Sequence, residues 1–191
     1  MRRLETLKQM RLMERQRLAG APAAVRASLQ AVLDVLEEQV ASLERQIREH
    51  IGNHPHLKPQ HDLLESIPGV GEVSAATLLA ELGDTTQFRS ARQVAAFTGR
   101  APRLHESGTS VRARSWMCKM GRPRLRRAVY LPALSALRCN PATRALAERL
   151  RAAGKSKMTV VGAAMRKLVH IAFGVLKSGK PFDPKIAQAN P

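Results

Sequence analysis

The stretch DLLESIPGVGEVSAATLLAELGD, residues 62–84, decides the fold. Two apolar helical patterns flank the turn IPGVG, so that one helix ends at Ser66 and the next begins near Val73. Gly69 and Gly71 permit positive φ and a close backbone approach. This pattern predicts a helix-hairpin-helix whose turn amides and following helix N-terminus bind a phosphate. A plain helical hairpin with a glycine turn is the alternative.

Helical patterns continue outward from this stretch. Only 3% of the residues are aromatic, so Leu, Val, Ile, Ala and Met must build the core, which favours helices over strands. Helices are predicted at 90–97 with Ser90 as N-cap, from Pro123 with a kink at Pro132, from Pro141 with Asn140 as N-cap, and at 158–177. The predicted buried face of the helix from Pro123 consists of Leu125, Val129, Leu134 and Leu137. The predicted core stripe of the last helix consists of Val161, Met165, Leu168, Ala172 and Leu176. The predicted class is all-α: a coiled-coil helical arm, then a helical domain containing the helix-hairpin-helix.

The arm is predicted from an apolar stripe between Val25 and Ile51. Its members alternate in steps of four and three, as in a coiled-coil seam: Leu29, Leu33, Leu36, Val40, Leu43 and Ile47. An amphipathic helix packed on a core is the alternative; the length of the pattern favours an antiparallel hairpin or a dimer arm. The predicted domains are an arm at 1–51, a His/Pro linker at 52–61, the helix-hairpin-helix-containing domain at 62–184 and a tail at 185–191.

The charge is concentrated in one part of the chain. The formal net charge is +17, and residues 100–170 contain 17 basic and two acidic residues, whereas residues 61–99 contain two basic and five acidic ones. Such a segment is easiest to understand with an anionic partner, and nucleic acid is the commonest. A generally basic, solvated surface is the alternative, which the acidic neighbouring segment disfavours.

Small hydroxyl residues lie inside the basic stretch HESGTSVRARSWMCKMGRPRLRR, residues 105–127. We expect a loop or short hairpin here, because the sequence is polar and contains glycine and serine. Either these serines are ordinary loop residues, or one attacks a phosphodiester while cations stabilise the transition state. Ser107, Ser110 and Ser115 are candidates. The candidate nucleic-acid contacts nearby are Arg103, Arg112, Arg114, Lys119, Arg124, Arg126 and Arg127.

Other chemistries find no support in the sequence. Nucleotide-binding glycine loops, HExxH and GxSxG are absent, and the acids of 61–99 form no set for two magnesium ions. His50, His54, His56 and His61 match no common zinc spacing, so no metal site is predicted. Cys118 and Cys139 form no CxxC pair. The chain shows no signal sequence and no segment apolar enough to span a membrane, which predicts a cytoplasmic protein.

Four segments together resemble a known family. They are IPGVGEVSAATLLAELGD (67–84), FRSARQVAAFTGRAPRLHESGTSVR (88–112), KMGRPRLRRAVYLPALSA (119–136) and KMTVVGAAMRKLVHIAFGVLKSGKPFDP (157–184). In this order they resemble the C-terminal domain of the insertion-sequence one-ten family of transposases, and residues 1–51 resemble that family's coiled-coil region. The resemblance implies a DNA recombinase, RNA-guided in the best-understood members, acting on double-stranded DNA.

The resemblance also implies that two domains contribute different groups to catalysis. In that family an acidic, resolvase-like N-terminal domain binds Mg²⁺, and the C-terminal domain supplies a serine nucleophile that forms a covalent phosphoserine intermediate. The serine of the SG motif is Ser107 here, with Ser110 as second choice. The acidic domain is missing, so no cofactor is expected in this chain and Mg²⁺ only with that domain. Arg122 stands where the KxGN motif usually has Asn, and Pro132 interrupts a helix that the family keeps smooth.

The predicted function is therefore DNA binding by a transposase fragment that uses a serine nucleophile in DNA transposition. Partners are double-stranded DNA, a guide RNA and further copies of the chain through the coiled coil. Autonomous enzyme activity is doubtful because the acidic domain is absent; a decayed copy and one half of a split enzyme both explain this. The alternatives are a non-catalytic nucleic-acid-binding remnant or accessory protein, and a structural coiled-coil adaptor, which the basic segment disfavours.

Overall fold

The structure, a computed structural model, describes residues 1–99, 102–107, 111–117 and 121–189. Nine helices are found in these ranges: α1 (Arg2–Ala19), α2 (Ala23–Gly52), α3 (Leu57–Glu65), α4 (Glu72–Leu82), α5 (Ala91–Phe97), α6 (Pro123–Cys139), α7 (Pro141–Ala152), α8 (Lys157–Ser178) and α9 (Pro184–Ala189). Two short strands, β1 (Pro102–Ser107) and β2 (Val111–Met117), pair between α5 and α6. The prediction of an all-α protein is confirmed, with this hairpin as its one β element in the described part of the chain.

The chain divides into two compact units, residues 1–58 and 59–191. In the first unit α1 packs along α2, so the two helices form a hairpin within one chain. The predicted seam supplies the buried residues Leu33, Leu36 and Val40, and α1 contributes Leu4 and Leu7. The ion pair between Lys8 and Glu44 joins the two helices at 2.7 Å. The seam therefore packs inside the chain, whereas association between copies through a coiled coil stays a prediction.

The predicted linker at 52–61 is too long. Helix α3 begins at Leu57, so Pro59 and His61 are helical. Proline is tolerated in the first turn of a helix because the amide it lacks has no partner there. The break between α2 and α3 is therefore confined to residues 53–56.

Helix α8 is the core of the second unit. It contacts α5, α6 and α7, and its buried residues lie on most of its circumference, including Met165, Leu168 and Ala172 of the predicted stripe. Among the described residues α8 is the one helix long and apolar enough to cross a membrane. However, 61% of its most apolar 18-residue stretch is buried in the protein, and core helices of soluble proteins can be equally long and apolar. This makes α8 weak evidence for a membrane span.

The predicted turn between α3 and α4 lies against α6. Gly69 has φ of +99°, and a Cβ placed there would lie 2.6 Å from the amide nitrogen of Ala136. The close approach that Gly69 permits is thus made to helix α6. This contact accounts for the glycine without a ligand, and phosphate binding by the turn stays a prediction.

Asn140 fixes the junction of α6 and α7 and also holds this turn. Its side-chain Oδ1 accepts hydrogen bonds from the amides of Ala142 and Thr143 at 3.0 and 3.3 Å, which confirms it as the N-cap of α7. Its Nδ2 donates to the carbonyl oxygen of Pro68 at 3.4 Å. Since Asn140 is fully buried, one amide side chain ties the turn to both helices.

The buried face of α6 differs from the predicted one. Leu125 and Val129 are buried as predicted, but beyond them Pro132, Ala133 and Ala136 form the face and Leu134 and Leu137 are only half-buried. The small alanines let Gly69 approach α6 closely, a requirement that the spacing of leucines does not reveal. Helix α6 continues through Pro132 to Cys139, and a kink at this proline stays a prediction.

We predict that Gly69→Ala lowers the free energy of unfolding by about 2–4 kcal/mol, because the new methyl group meets backbone atoms of α6 at a positive φ. Urea unfolding measures the loss. Gly71→Ala is the matched control: its Cβ would meet nothing within 4 Å, and the cost should stay below about 1 kcal/mol. Equal losses in the two variants would contradict the packing role of Gly69.

Candidate nucleic-acid interface

The predicted nucleophile lies on the β-hairpin. Strands β1 and β2 are antiparallel, and Ser107, the last residue of β1, pairs with Val111, the first residue of β2. Ser107 is therefore at the end of the ladder farthest from α5 and α6. Arg103, Arg112 and Arg114 also lie on these strands, whereas Ser110 and Lys119 fall outside the described residues. The structure thus brings Ser107 and three of the predicted arginines onto one hairpin.

The base of this hairpin is closed by two glycines. Gly99 follows α5 and Gly121 precedes α6, with φ of +70° and +144°. A Cβ on Gly121 would lie 2.8 Å from the Cα of Gly99 and 2.8 Å from the carbonyl oxygen of Phe97. The chain entering and leaving the hairpin region is therefore in backbone contact, which only glycine permits here.

Arg122 strengthens the same junction. Its backbone amide donates to the carbonyl oxygen of Phe97 at 3.0 Å, and its guanidinium lies 4.6 Å from the centre of the Phe97 ring. The guanidinium also donates to the carbonyl oxygen of Glu81 at 3.2 Å. Arg122 thus connects α4, α5 and the start of α6, a role that sequence analysis missed. The one available signal was that Arg replaces the usual Asn after Gly121.

The first turn of α6 is strongly positive. Pro123 opens the helix, no side chain caps its N-terminus, and its first turn contains no acidic residue. Arg124, Arg126 and Arg127 lie within the first five residues of α6, although the N-terminal end of a helix dipole disfavours cations. An anion stabilises such an arrangement, because the helix N-terminus attracts negative charge and guanidinium groups bind phosphate oxygens.

A second group of cations surrounds His170 on α8. Burial, together with Arg166, Lys167 and Arg92, lowers the pKa of His170 to about 4. The pKa of Lys167 is also lowered, first by burial and then by Arg149. Helices α5, α7 and α8 therefore hold like charges near one another, and at neutral pH His170 adds none. Among the described residues no acid forms an ion pair with Arg92, Arg149 or Arg166, which leaves the surface positive.

The turn before α4 contributes a further N-terminus. Gly71 is its exposed N-cap residue, and no side chain caps the helix. Of the two glycines predicted to contact nucleic acid, Gly71 is thus the one on the surface, while Gly69 contacts α6. The turn and the first turn of α6 both belong to the second unit, as does the hairpin that follows α5.

We predict that Arg122→Ala loosens the base of the hairpin. Loss of the ring contact and the hydrogen bond should lower the free energy of unfolding by about 1–3 kcal/mol. Hydrogen exchange in peptides covering residues 97–122 should become faster. Arg127→Ala, exposed in the same first turn, is the control and should change stability by less than about 0.5 kcal/mol. Unchanged exchange in Arg122→Ala would show that the clamp does not depend on this side chain.

Comparison with known proteins identifies a family and several relatives. Residues 61–148 match the family model described as Transposase IS116/IS110/IS902 family. The chain is 35% identical over 150 residues to the pilin gene-inverting protein of Moraxella bovis, covering 78% of this chain and 47% of that protein. It is 34% identical over 159 residues to an uncharacterized 43.6 kDa protein of insertion element IS110 in Streptomyces coelicolor, covering 83% of this chain and 38% of that protein.

A third relative is named directly as a transposase. The chain is 36% identical over 107 residues to a probable family 20 transposase of Pseudomonas aeruginosa, covering 56% of this chain and 30% of that protein. The chain thus spans less than half the length of these relatives. The family resemblance inferred from the motifs is confirmed: through its second unit, this chain belongs to the IS116/IS110/IS902 family of transposases.

Proposed function

We propose that this chain is the DNA-contacting part of an insertion-sequence transposase and supplies the serine that is joined to DNA during transposition. The observation that carries the proposal is the first turn of α6, where arginines crowd an uncapped helix N-terminus with no acid in the turn. This turn directly follows the clamp that closes the hairpin. The chain would therefore bind one DNA phosphate at the base of the hairpin, and Ser107, at the far end of the strand ladder, would meet another phosphate of the same DNA.

The chemical step follows from these parts. The Ser107 Oγ attacks the phosphorus of a phosphodiester, a bond between serine oxygen and phosphorus forms, and the bond to one DNA oxygen breaks. The serine proton passes to a base and the departing oxygen leaves as a DNA hydroxyl. Arginines stabilise the extra negative charge of the transition state. The general base and Mg²⁺ would come from an acidic domain outside these 191 residues, as the resemblance implies.

The remaining partners belong to the same proposal. Copies of the chain would associate through the arm, where Val25, Val32 and Val35 are exposed on α2. A guide RNA would share the basic surface with DNA, and the protein would act in the cytoplasm. The second candidate function is a nucleic-acid-binding remnant without catalysis, which the same basic surface supports.

DNA binding is predicted to depend steeply on salt. Contacts to six or more phosphates should lower the affinity for double-stranded DNA by about 10³-fold or more between 50 and 200 mM salt. Fluorescence anisotropy with labelled duplexes across this range measures the effect. A flat dependence would contradict the electrostatic basis of the proposal.

A charge-matched pair of variants locates this contact. Replacing Arg124, Arg126 and Arg127 with alanine should weaken binding to all sequences alike and reduce the salt slope. Replacing Arg2, Arg3 and Arg45, which are exposed in the first unit, removes the same charge and should change affinity far less. Circular dichroism confirms that both variants remain folded.

Catalysis is predicted to require the acidic domain. With suicide DNA substrates this chain alone should form no covalent adduct, because its arginines cannot readily supply the base and the metal ions. Addition of the N-terminal acidic domain of a full-length relative in trans should produce an adduct on a denaturing gel. Ser107→Ala should abolish it and leave DNA affinity intact.

Each other outcome has a defined meaning. An adduct that survives Ser107→Ala but not Ser110→Ala would move the nucleophile to Ser110 and keep the mechanism. An adduct without the added domain would refute its requirement. Tight DNA binding with no adduct under any condition would favour the non-catalytic remnant.

A further inference from the structure

Three potential metal ligands converge on helix α3. The Nδ1 atom of His61 lies 3.8 Å from a carboxylate oxygen of Asp62 and 3.8 Å from one of Glu65. One ligand atom from each of the three residues lies within 4.8 Å of the other two. Within the described residues no other three His, Cys, Asp or Glu side chains are grouped in this way.

The hydrogen bond that Nε2 of His61 makes determines whether Nδ1 can act as a metal ligand. Nε2 lies 3.0 Å from the carbonyl oxygen of Glu72, the first residue of α4. A carbonyl oxygen only accepts, so Nε2 carries the hydrogen and, in the neutral ring, Nδ1 has a lone pair. Both distances from Nδ1 to the carboxylates exceed a hydrogen bond. Metal-binding histidines usually donate their other ring N–H to a carboxylate or a backbone carbonyl, as His61 does to Glu72.

The burial of the three side chains suits such a site. The side chain of His61 is 6% exposed, whereas those of Asp62 and Glu65 are 50% and 47% exposed. Histidine is thus a fixed anchor, and the carboxylates can rotate. In a tetrahedral site with bonds of about 2.1 Å the ligand atoms lie about 3.4 Å apart, so small rotations of the two carboxylates suffice.

We propose that His61, Asp62 and Glu65 bind one divalent transition-metal ion. One imidazole nitrogen with two carboxylate oxygens suits Zn²⁺, with Mn²⁺ binding more weakly in the usual order of affinities. The three ligands leave a coordination position open toward solvent. This departs from the sequence-based expectation of no metal, because a contact between α3 and α4 sets the orientation of His61.

Metal binding would have a local structural effect. Through His61 the ion would fix α3 to the first residue of α4, on the two sides of the turn that Gly69 and Gly71 form. It would also neutralise two of the acids in the segment 61–99, which otherwise repel phosphate near this turn. The site is separate from the Mg²⁺ that the resemblance assigns to an acidic domain outside these residues.

Zinc titration of the full chain tests the proposal. The measurements use a Cys118→Ser/Cys139→Ser background, so that thiols do not compete for the metal, and Zn²⁺ alone as the ligand. Calorimetry at pH 7 should show one Zn²⁺ per chain, and Zn²⁺ should raise the melting temperature. Asp62→Asn/Glu65→Gln should weaken affinity by at least about tenfold and remove the thermal shift. Because both carboxylates are exposed, this variant should remain folded.

Two control variants test whether the Zn²⁺ binds at these three residues. Glu148→Gln/Asp183→Asn removes the same charge at other exposed positions of the second unit and should leave the affinity unchanged. His54→Ala disrupts the histidine pair of the first unit, whose rings lie 4.1 Å apart, and should also leave it unchanged. Absence of binding, binding that survives Asp62→Asn/Glu65→Gln, or loss of binding in His54→Ala would each overturn the proposal.

Discussion

The buried side chain of Asn140 connects the α3–α4 turn with the junction of α6 and α7, and the packing of the second unit depends on this connection. It caps α7 with its oxygen and holds the α3–α4 turn with its nitrogen, at the point where Gly69 meets α6. Thr143 completes the junction by donating to the carbonyl oxygen of Ala136 at 2.6 Å. In a buried position each of these groups would cost free energy without its partner. The turn, the end of α6 and the start of α7 are therefore fixed together.

This fixed arrangement supports a dense positive charge. The arginines of α6 and the cations around His170 lie on α8 itself or on helices that pack on it. Like charges destabilise a fold through mutual repulsion. A fold that carries them therefore needs a well-packed apolar core to offset this loss of stability. Apolar packing of α8 supplies such a core, and a polyanion would relieve the repulsion. The residues that stabilise the helices and the residues that carry the positive charge are thus different members of the same elements.

The sequence predicted best what depends on neighbouring residues. The caps at Ser90 and Asn140 were correct because an N-cap acts on amides two or three positions away. Prediction from the sequence failed where the interacting residues are distant along the chain. That Gly69 serves α6, and that Arg122 bridges Phe97 and Glu81, depends on tertiary packing that no local pattern encodes. The predicted linker is too long because proline interrupts a helix interior but is tolerated in a first turn, where Pro59 lies.

The candidate site divides in the same way. The sequence predicts its arginines from composition and Ser107 from the resemblance of the SG motif, since both are properties of one short stretch. Whether the arginines lie close to Ser107 depends on the register of the hairpin and on the contact between Gly99 and Gly121 at its base. Sequence spacing alone gives neither of these. The orientation of His61 likewise depends on a distant group, the carbonyl oxygen of Glu72, so the sequence alone gives no sign of its contacts.

The contact between Gly99 and Gly121 makes the residues between them, topologically, an insertion into a helical protein. Because the chain returns to its point of departure, changes in the length or sequence of this segment need not displace α5 or α6. Selection can therefore act on the segment that contains the SG motif and on the helical scaffold almost independently. The two glycines and the core that they join would then be kept while the segment between them varies.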